Sequence, residues 1–213
     1  MSANPAPDPS SAALRTLARR KLRPSLSSAE LERAAPAGVS DGTGPDLGLT
    51  PLRPAAVLLP VVDRPGGLTV LLTLRASDLR AHSGQVAFPG GKIDARETPC
   101  EAALREAREE IGLEERFVEP LGWLDPYFTG TGFRVAPLVA LVEPSFELAV
   151  NKLEVDEVFE TPFAFLMDAD NHRLEEREWQ GRRRRYYAMP QDGRYIWGAT
   201  AGILRDLYEK LFS

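Results

Sequence analysis

Three glutamates stand at helical spacing near the middle of the chain, at Glu106, Glu109 and Glu110. Residues three or four positions apart lie on one side of an α-helix, so these carboxylates would cluster. Like charges at that spacing destabilise a helix slightly, and a bound cation would remove the repulsion. Oxygen ligands of this kind suit Mg²⁺. Glutamate-rich helix faces are more often solvated surface, so the spacing alone leaves both interpretations open.

The residues around these glutamates predict the helix that would carry them. Thr98 is a suitable N-cap, Pro99 fits the first helical position, and Glu101 stands where a capping box needs a carboxylate. Gly112 is a suitable residue for ending the helix. A narrow apolar stripe recurs at helical spacing and would face the core. It consists of Cys100, Ala103, Leu104, Ala107 and Ile111.

The glutamates also belong to an ordered set with fixed spacing. Its members are Gly91, Glu97, Arg105, Glu106, Ala107, Glu109, Glu110, Gly112 and Leu113. This set resembles the Nudix hydrolase box, Gly-x5-Glu-x7-Arg-Glu-U-x-Glu-Glu-x-Gly-U, in which U is a bulky aliphatic residue. One position departs, because Ala107 stands where U is typical. Alanine there suggests closer packing of the helix on its sheet and removes no ligand.

The resemblance implies a site for Mg²⁺ or Mn²⁺. By the family pattern Glu106 and Glu110 are the primary ligands, and Glu109 is a further ligand or the general base. The carbonyl group of Gly90 is expected as an additional ligand, because the Gly-Gly turn stands at the mouth of the box.

Other residues receive supporting roles from the same resemblance. Glu97 and Arg105 are expected to brace the loop that begins at Gly91 against the helix. For the general base we consider Glu109 first. Glu157 and Glu154, on a later loop, are the alternatives, and the sequence leaves the choice open.

The residues upstream of the box resemble the coenzyme A-type Nudix pyrophosphatases. The resemblance rests on residues 71–76 (LLTLRA), Arg80, Gly84 and residues 88–91 (FPGG). Arg75 departs from the pattern, which has threonine there. Arg80, Arg75 and Gln85 are therefore candidate substrate-binding residues, since guanidinium groups suit phosphate. Taken singly, each is more often a surface residue than a ligand of phosphate.

The two resemblances together imply a metal-dependent hydrolase. It would split the diphosphate of coenzyme A or its thioesters into adenosine 3′,5′-bisphosphate and 4′-phosphopantetheine. The nearest alternative is a Nudix pyrophosphatase for ADP-ribose, dinucleotides or nucleoside triphosphates. A non-catalytic Nudix-fold binding module is less favoured, because binding alone requires no clustered carboxylates. The arginine run 182–185 is interpreted as a solvated, partly paired strand.

The composition argues against nucleic-acid and membrane partners, and the resemblance implies a small nucleotide substrate. The formal net charge of −5 over 213 residues argues against general nucleic-acid binding. No apolar run approaches the roughly 20 residues that span a bilayer, and the N-terminus lacks the pattern of a signal peptide. The single cysteine fits a reducing compartment, so the cytoplasm is expected. The oligomeric state is left open, and a homodimer is compatible with the sequence.

The sequence also predicts the helices and strands that hold these residues. Residues 1–54 are interpreted as a leader, partly disordered at the N-terminus, with a basic amphipathic helix over 11–22 packed on the Nudix domain and a short helix over 28–33. Residues 55–213 are the expected Nudix domain. Its first hairpin pairs 55–62 with 68–75, and its later strands are 86–88, 117–124, 134–142, 146–150 and 158–159. A helical turn at 162–167, a hairpin of 173–180 with 182–189, a strand at 195–197 and a helix over 199–212 follow. This order predicts an α/β fold, a mixed central sheet covered on both faces as in the Nudix α/β/α sandwich.

Overall fold

The computed structural model describes residues 9–32, 52–77, 84–179 and 182–213. The helices are α1 (Ser11–Lys21), α2 (Ser28–Glu32), α3 (Pro99–Ile111), α4 (Phe163–Leu166) and α5 (Gly198–Phe212), with short 3-10 turns at Glu115–Phe117 and Ala169–Asn171. The strands are β1 (Arg53–Arg64), β2 (Gly67–Arg75), β3 (Val86–Ala87), β4 (Gly90–Lys92), β5 (Val118–Trp123), β6 (Tyr127–Phe128), β7 (Phe133–Val142), β8 (Val155–Pro162), β9 (Arg173–Trp179), β10 (Arg182–Gln191) and β11 (Arg194–Trp197).

The main sheet is mixed because β1 runs parallel to β7 and antiparallel to its other partners. Within the described residues its central order is β3-β2-β1-β7-β5, with β4 added to β1, β6 to β7 and β8 to β2. The parallel register pairs Ala56 with Ala136, while the antiparallel register pairs the same Ala56 with Gly91. The box therefore enters the sheet beside its central strand.

The predicted first hairpin is confirmed. β1 and β2 pair antiparallel up to Arg64 and Gly67, which leaves Pro65 and Gly66 as a two-residue turn. Both strands are largely buried along their length, as their continuous apolar runs predict for interior strands.

Helices cover both faces of the main sheet, which confirms the predicted α/β class. One face packs against α3 through small residues of the helix, Ala102, Ala103 and Ala107. The opposite face packs against α5 and α1, whose core residues include Leu204 and Leu14. Ala107 is 1% exposed, in keeping with the close helix packing expected from alanine at that position.

The strand predicted over residues 146–150 is wrong. Instead, this segment runs along the end of α3, where the amide of Ala149 donates to the carbonyl oxygen of Ile111 at 3.0 Å. The amide of Asn151 donates to the carbonyl oxygen of Glu110 at 2.9 Å. The last carbonyls of a helix need external donors, and this segment supplies them rather than pairing in a sheet.

The polar hairpin near the C-terminus is confirmed as part of a three-stranded antiparallel sheet, β11-β10-β9, within the described residues. Arg185 of the arginine run pairs with Glu176 across the hairpin at 2.7 Å. Thr200 at the start of α5 donates to the carbonyl oxygen of Val86 at 2.8 Å, which joins the helix to β3.

The predicted N-terminal helix packs on the rest of the protein. Leu14 and Ala18 of α1 are buried, and Arg15 pairs with Glu119 of β5 at 2.9 Å. The second short helix is also present as α2. The division of the chain at residue 54 stays a prediction. Among the described helices, none is both long and apolar enough to cross a membrane.

Candidate metal and substrate site

Local chemistry fixes the two ends of α3, as predicted. The Thr98 side chain accepts from the amide of Glu101, and the Glu101 carboxylate accepts from the amide of Thr98, which completes a capping box. Gly112 ends the helix with a left-handed φ of 73°. These contacts set where the helix begins and ends.

Arg105 gathers the acidic side chains at the exposed edge of the box. Its guanidinium donates to Glu97 at 2.8 Å and to Glu106 and Glu109 at 2.9 Å each. It also donates to the carbonyl oxygen of Lys92 at 3.1 Å. Because the hydrogen bond from Arg105 stabilises the ionised form, the pKa of Glu97 is lowered. The arginine thus ties the loop before α3 to the helix.

Glu110 is the most enclosed carboxylate of the box, with 2% of its side chain exposed. Its oxygens accept from the amide of Gly90 at 3.1 Å and from Arg75 at 3.3 Å. Burial raises the pKa of Glu110 to about 7 despite both contacts. Burial also raises the pKa of the half-buried Glu106. The two carboxylates therefore lie where added positive charge would be stabilising.

The glycines of β4 allow the backbone to approach the box helix. A Cβ atom on Gly91 would overlap the carboxylate of Glu106. A Cβ atom on Gly90 would overlap Val57 and the carbonyl oxygen of Ala56 in β1. Gly90 must be glycine because a Cβ there would meet the backbone of β1, whereas a side chain at Gly91 would have to displace the Glu106 carboxylate.

The two later glutamates proposed as alternative bases differ in their surroundings. Beyond burial, the charge of Glu154 contributes to the raised pKa values of Glu106 and Glu110, which places Glu154 beside the box. Glu157 instead pairs with Arg194, whose guanidinium stacks over Phe159 at 4.1 Å. Phe159 belongs to the core on the sheet face opposite α3. The structure thus brings Glu154, and not Glu157, toward the glutamates of the box.

Two of the three predicted substrate-binding residues lie within the described part of the chain. Arg75 ends β2 and contacts Glu110, and its amide donates to the carbonyl oxygen of Gln85 at 3.0 Å. The amide of Gly84 returns a hydrogen bond to the carbonyl oxygen of Arg75 at 3.1 Å. Arg80 lies outside the described residues.

Asn151 is a supporting residue that the sequence interpretation did not single out. Its side chain donates to Glu154 at 3.2 Å while its amide caps the carbonyl oxygen of Glu110. It therefore links the turn that carries Glu154 to the end of α3. The sequence offered only a weak signal, since asparagine is common in turns of any function.

A divalent cation fits the donor chemistry of this site. Within the described ranges no three acidic, histidine or cysteine side chains already converge as a metal cage. Glu106 and Glu110 nevertheless combine burial with raised pKa values, and nearby cationic groups contact only part of their oxygens. Mg²⁺ keeps several waters and needs few carboxylates. A cation held by these glutamates and by water would keep both ionised.

Comparison with known proteins agrees with this site. The NUDIX domain model matches residues 51–185. The chain is 42% identical over 157 residues to the uncharacterized Nudix hydrolase NudL of Salmonella paratyphi B and of Salmonella newport, covering 73% of this chain and 81% of each relative. The structure of a Nudix hydrolase from M. smegmatis, RenU, aligns with a TM-score of 0.51 at 23% identity, over 74% of this chain and 84% of that one. Nudix hydrolases generally use divalent metal ions, in keeping with the carboxylates of α3. The chain belongs to the Nudix family and is a Nudix hydrolase.

Proposed function

We propose that this Nudix hydrolase cleaves the diphosphate linkage of coenzyme A or its thioesters. The products are adenosine 3′,5′-bisphosphate and 4′-phosphopantetheine, and Mg²⁺ or Mn²⁺ is the cofactor. The substrate is a small nucleotide, and we expect the reaction to take place in the cytoplasm.

The observation that carries this proposal is the contact between the upstream segment and the box. Residues 71–76 resemble coenzyme A-type enzymes except at Arg75, and the segment reaches the box where Arg75 lies 3.3 Å from Glu110. Gln85 is held against the backbone of Arg75. The segment that favours this substrate therefore ends beside the carboxylates that favour diphosphate chemistry.

The box residues have distinct proposed roles. Glu106, Glu109, Glu110 and the carbonyl group of Gly90 would hold the cation. When bound, a divalent cation neutralises diphosphate oxygens and makes a water molecule more acidic. Arg105 holds Glu106 and Glu109 in place through hydrogen bonds of 2.9 Å.

Residues next to the proposed metal ligands are proposed to support the box or to bind the substrate. Glu97 anchors Arg105, and Gly91 leaves room for the Glu106 carboxylate. Arg75 and Gln85 are proposed to contact substrate oxygens. Arg80 is proposed for the same role from the resemblance alone.

The general base is proposed to be Glu154, with Glu109 as the alternative. Glu154 lies beside Glu106 and Glu110 and is oriented by Asn151. Glu109 already accepts a hydrogen bond from Arg105, which occupies one of its carboxylate oxygens. Glu157 is held by Arg194 toward the other sheet face, so it is the least favoured of the three.

The test is a substrate panel with product identification by mass. The protein is incubated with Mg²⁺ and coenzyme A, ADP-ribose, diadenosine polyphosphates or nucleoside triphosphates. The proposal expects the fastest cleavage with coenzyme A or its thioesters, at the diphosphate. Faster cleavage of ADP-ribose or a dinucleotide would reject coenzyme A as the substrate. A lack of any cleavage would favour a binding module.

A further inference from the structure

Arg134 on β7 is a buried arginine that lacks an ionic partner among the described residues. The residue is 4% exposed, and its Nε atom is enclosed without a hydrogen-bond acceptor. The guanidinium lies 5.4 Å from the centre of the Phe128 ring. Burial lowers the pKa of Arg134. An enclosed, uncompensated cation is unfavourable, so an oxyanion at this position would be stabilising.

Arg134 faces the same side of the main sheet as the box helix. Side chains alternate along a strand, and Ala136 and Leu138 of β7 belong to the core beneath α3. Phe128 is the direct cross-strand neighbour of Arg134, in β6. Arg134 and Phe128 therefore lie on the sheet face that carries the carboxylates.

The strand registers place Arg134 within reach of a ligand bound at the box. Gly91 pairs with Ala56, and Ala56 pairs with Ala136, two residues along β7 from Arg134. Two strand spacings and two residue steps correspond to about 12 Å between the Cα atoms of Gly91 and Arg134. The arginine side chain covers only part of that separation, so its guanidinium suits a different part of a nucleotide bound at the box.

We propose that Arg134, beside Phe128, forms an anion subsite for a phosphomonoester of the bound nucleotide, separate from the diphosphate that is cleaved. A guanidinium fork recognises a phosphate through paired, charge-assisted hydrogen bonds. In the proposed substrate this group is the 3′-phosphate of the adenosine. The inference rests on the proposed function and adds the residue that would distinguish coenzyme A from nucleotides without that phosphate.

The binding test uses the full chain and two nucleotides that differ only in the 3′-phosphate. Calorimetry compares adenosine 3′,5′-bisphosphate with adenosine 5′-monophosphate. The wild type should bind the bisphosphate about tenfold or more tightly, as expected for charge-assisted hydrogen bonds. Arg134→Met should reduce the ratio to about one, and Arg134→Lys should retain part of it. Equal binding by the wild type, no binding of either nucleotide, or an unchanged ratio in Arg134→Met would overturn the subsite.

Arg53→Met is the matched control for this binding test. Arg53 also lies over an aromatic ring, Phe133, at 4.0 Å, but it is exposed and donates to the carbonyl oxygen of Thr131. Its neighbour Ala55 belongs to the core of the opposite sheet face, so Arg53 faces away from the box. The preference for the bisphosphate should therefore be unchanged, and its loss in both variants would indicate a general charge effect.

An acidic side chain from outside the described residues is the competing source of the oxyanion. Asp8, Asp41, Asp46 and Asp78 are the acidic residues outside the described ranges. If Arg134 pairs with one of them, the matching change among Asp8→Asn, Asp41→Asn, Asp46→Asn and Asp78→Asn should lower the melting temperature as much as Arg134→Met does. That result would overturn the proposal, whereas an unchanged melting temperature with the binding ratio intact supports it.

Hydrolysis assays separate this inference from the proposed function. The wild type should cleave coenzyme A with a lower KM than dephospho-coenzyme A, and Arg134→Met should remove the difference in KM while largely keeping kcat. If Arg134→Met cleaves coenzyme A and keeps the wild-type difference in KM, the subsite is rejected and the proposed function is retained. If the wild type does not cleave coenzyme A but its preference for the bisphosphate depends on Arg134, the proposed function is rejected and the subsite is retained.

Discussion

The guanidinium of Arg75 lies 3.3 Å from the buried carboxylate of Glu110. One residue ends β2 and the other lies near the end of α3, 35 positions later. Their contact joins the segment that suggests the substrate to the helix that suggests the reaction. It also gives the buried Glu110 carboxylate a cationic neighbour.

Glu110→Gln tests the metal role of the most buried glutamate. Turnover with Mg²⁺ should fall about 100-fold or more, since even residues that only support metal ligands contribute 10–100-fold. The melting temperature should be kept, because glutamine preserves the volume and removes a buried negative charge. Glu114→Gln, an exposed position just after α3, is the control. Near-normal turnover in Glu110→Gln would remove this residue from the site.

Arg75→Thr introduces the residue that the coenzyme A-type pattern has at this position. If Arg75 contacts substrate phosphate, KM should rise several-fold with kcat little changed. If its main role is to neutralise Glu110, the Mg²⁺ concentration for half-maximal activity should fall instead, because the competing cation is gone. Steady-state kinetics over a Mg²⁺ series separate the two, with Arg75→Lys as the charge-conserving control. Unchanged constants in Arg75→Thr would contradict both roles.

Glu154→Gln and Glu157→Gln distinguish the two later glutamates. A general base contributes about 10²–10⁴-fold, so Glu154→Gln should lower kcat by that amount and flatten the acid side of the pH profile. Glu157→Gln should keep kcat within a few-fold and mainly weaken the contact with Arg194. The reverse pattern would assign the base to Glu157, and a small effect of both would favour Glu109.

Gly91→Ala tests the close approach of β4 to the box helix. The added Cβ would overlap the Glu106 carboxylate, so this side chain must move. Activity should fall by at least about tenfold, as for the displacement of a supporting group, while circular dichroism shows a folded protein. Gly66→Ala is the matched control, since no atom lies within 4 Å of the Cβ it would add. Full activity in Gly91→Ala would show that Glu106 has room to adjust.

Glu160 provides a prediction of pH-dependent stability away from the site. Burial raises the pKa of Glu160, but hydrogen bonds from Arg64 and Thr69 outweigh burial and leave the pKa below its ordinary value. A lowered folded-state pKa stabilises the protein above the unfolded pKa of about 4.3, and this contribution is lost as the pH falls below it. Denaturant unfolding from pH 7 to 3 should show a weaker pH dependence in Glu160→Gln than in the wild type.

The control for the pH series is Glu143→Gln. Glu143 is exposed just after β7, where burial adds little to the free energy of unfolding. The free energy of unfolding of Glu143→Gln should therefore change with pH as that of the wild type does. Parallel curves for Glu160→Gln and the wild type would show that the Arg64 and Thr69 contacts persist in the unfolded chain or do not contribute.

Features that depend on neighbouring residues could be predicted from short stretches of sequence. The capping box of Thr98 and Glu101 spans three positions, and Gly112 supplies a left-handed end, so the bounds of α3 followed from local chemistry. The spacing of the glutamates and the apolar stripe gave the face that carries the carboxylates. The first hairpin followed in the same way from two apolar runs and a turn.

Which distant residues meet at these carboxylates depends on contacts between segments that are far apart in the sequence. Glu154 and Glu157 are three positions apart in the sequence, yet only Glu154 lies beside the box, because Arg194 and Phe159 hold Glu157 toward the other face. The segment over 146–150 looked like a strand but serves the end of α3. The burial of Arg134 depends on the parallel pairing of β1 with β7. Pairings between distant strands are set by the packing of the whole core, which local residue patterns do not specify.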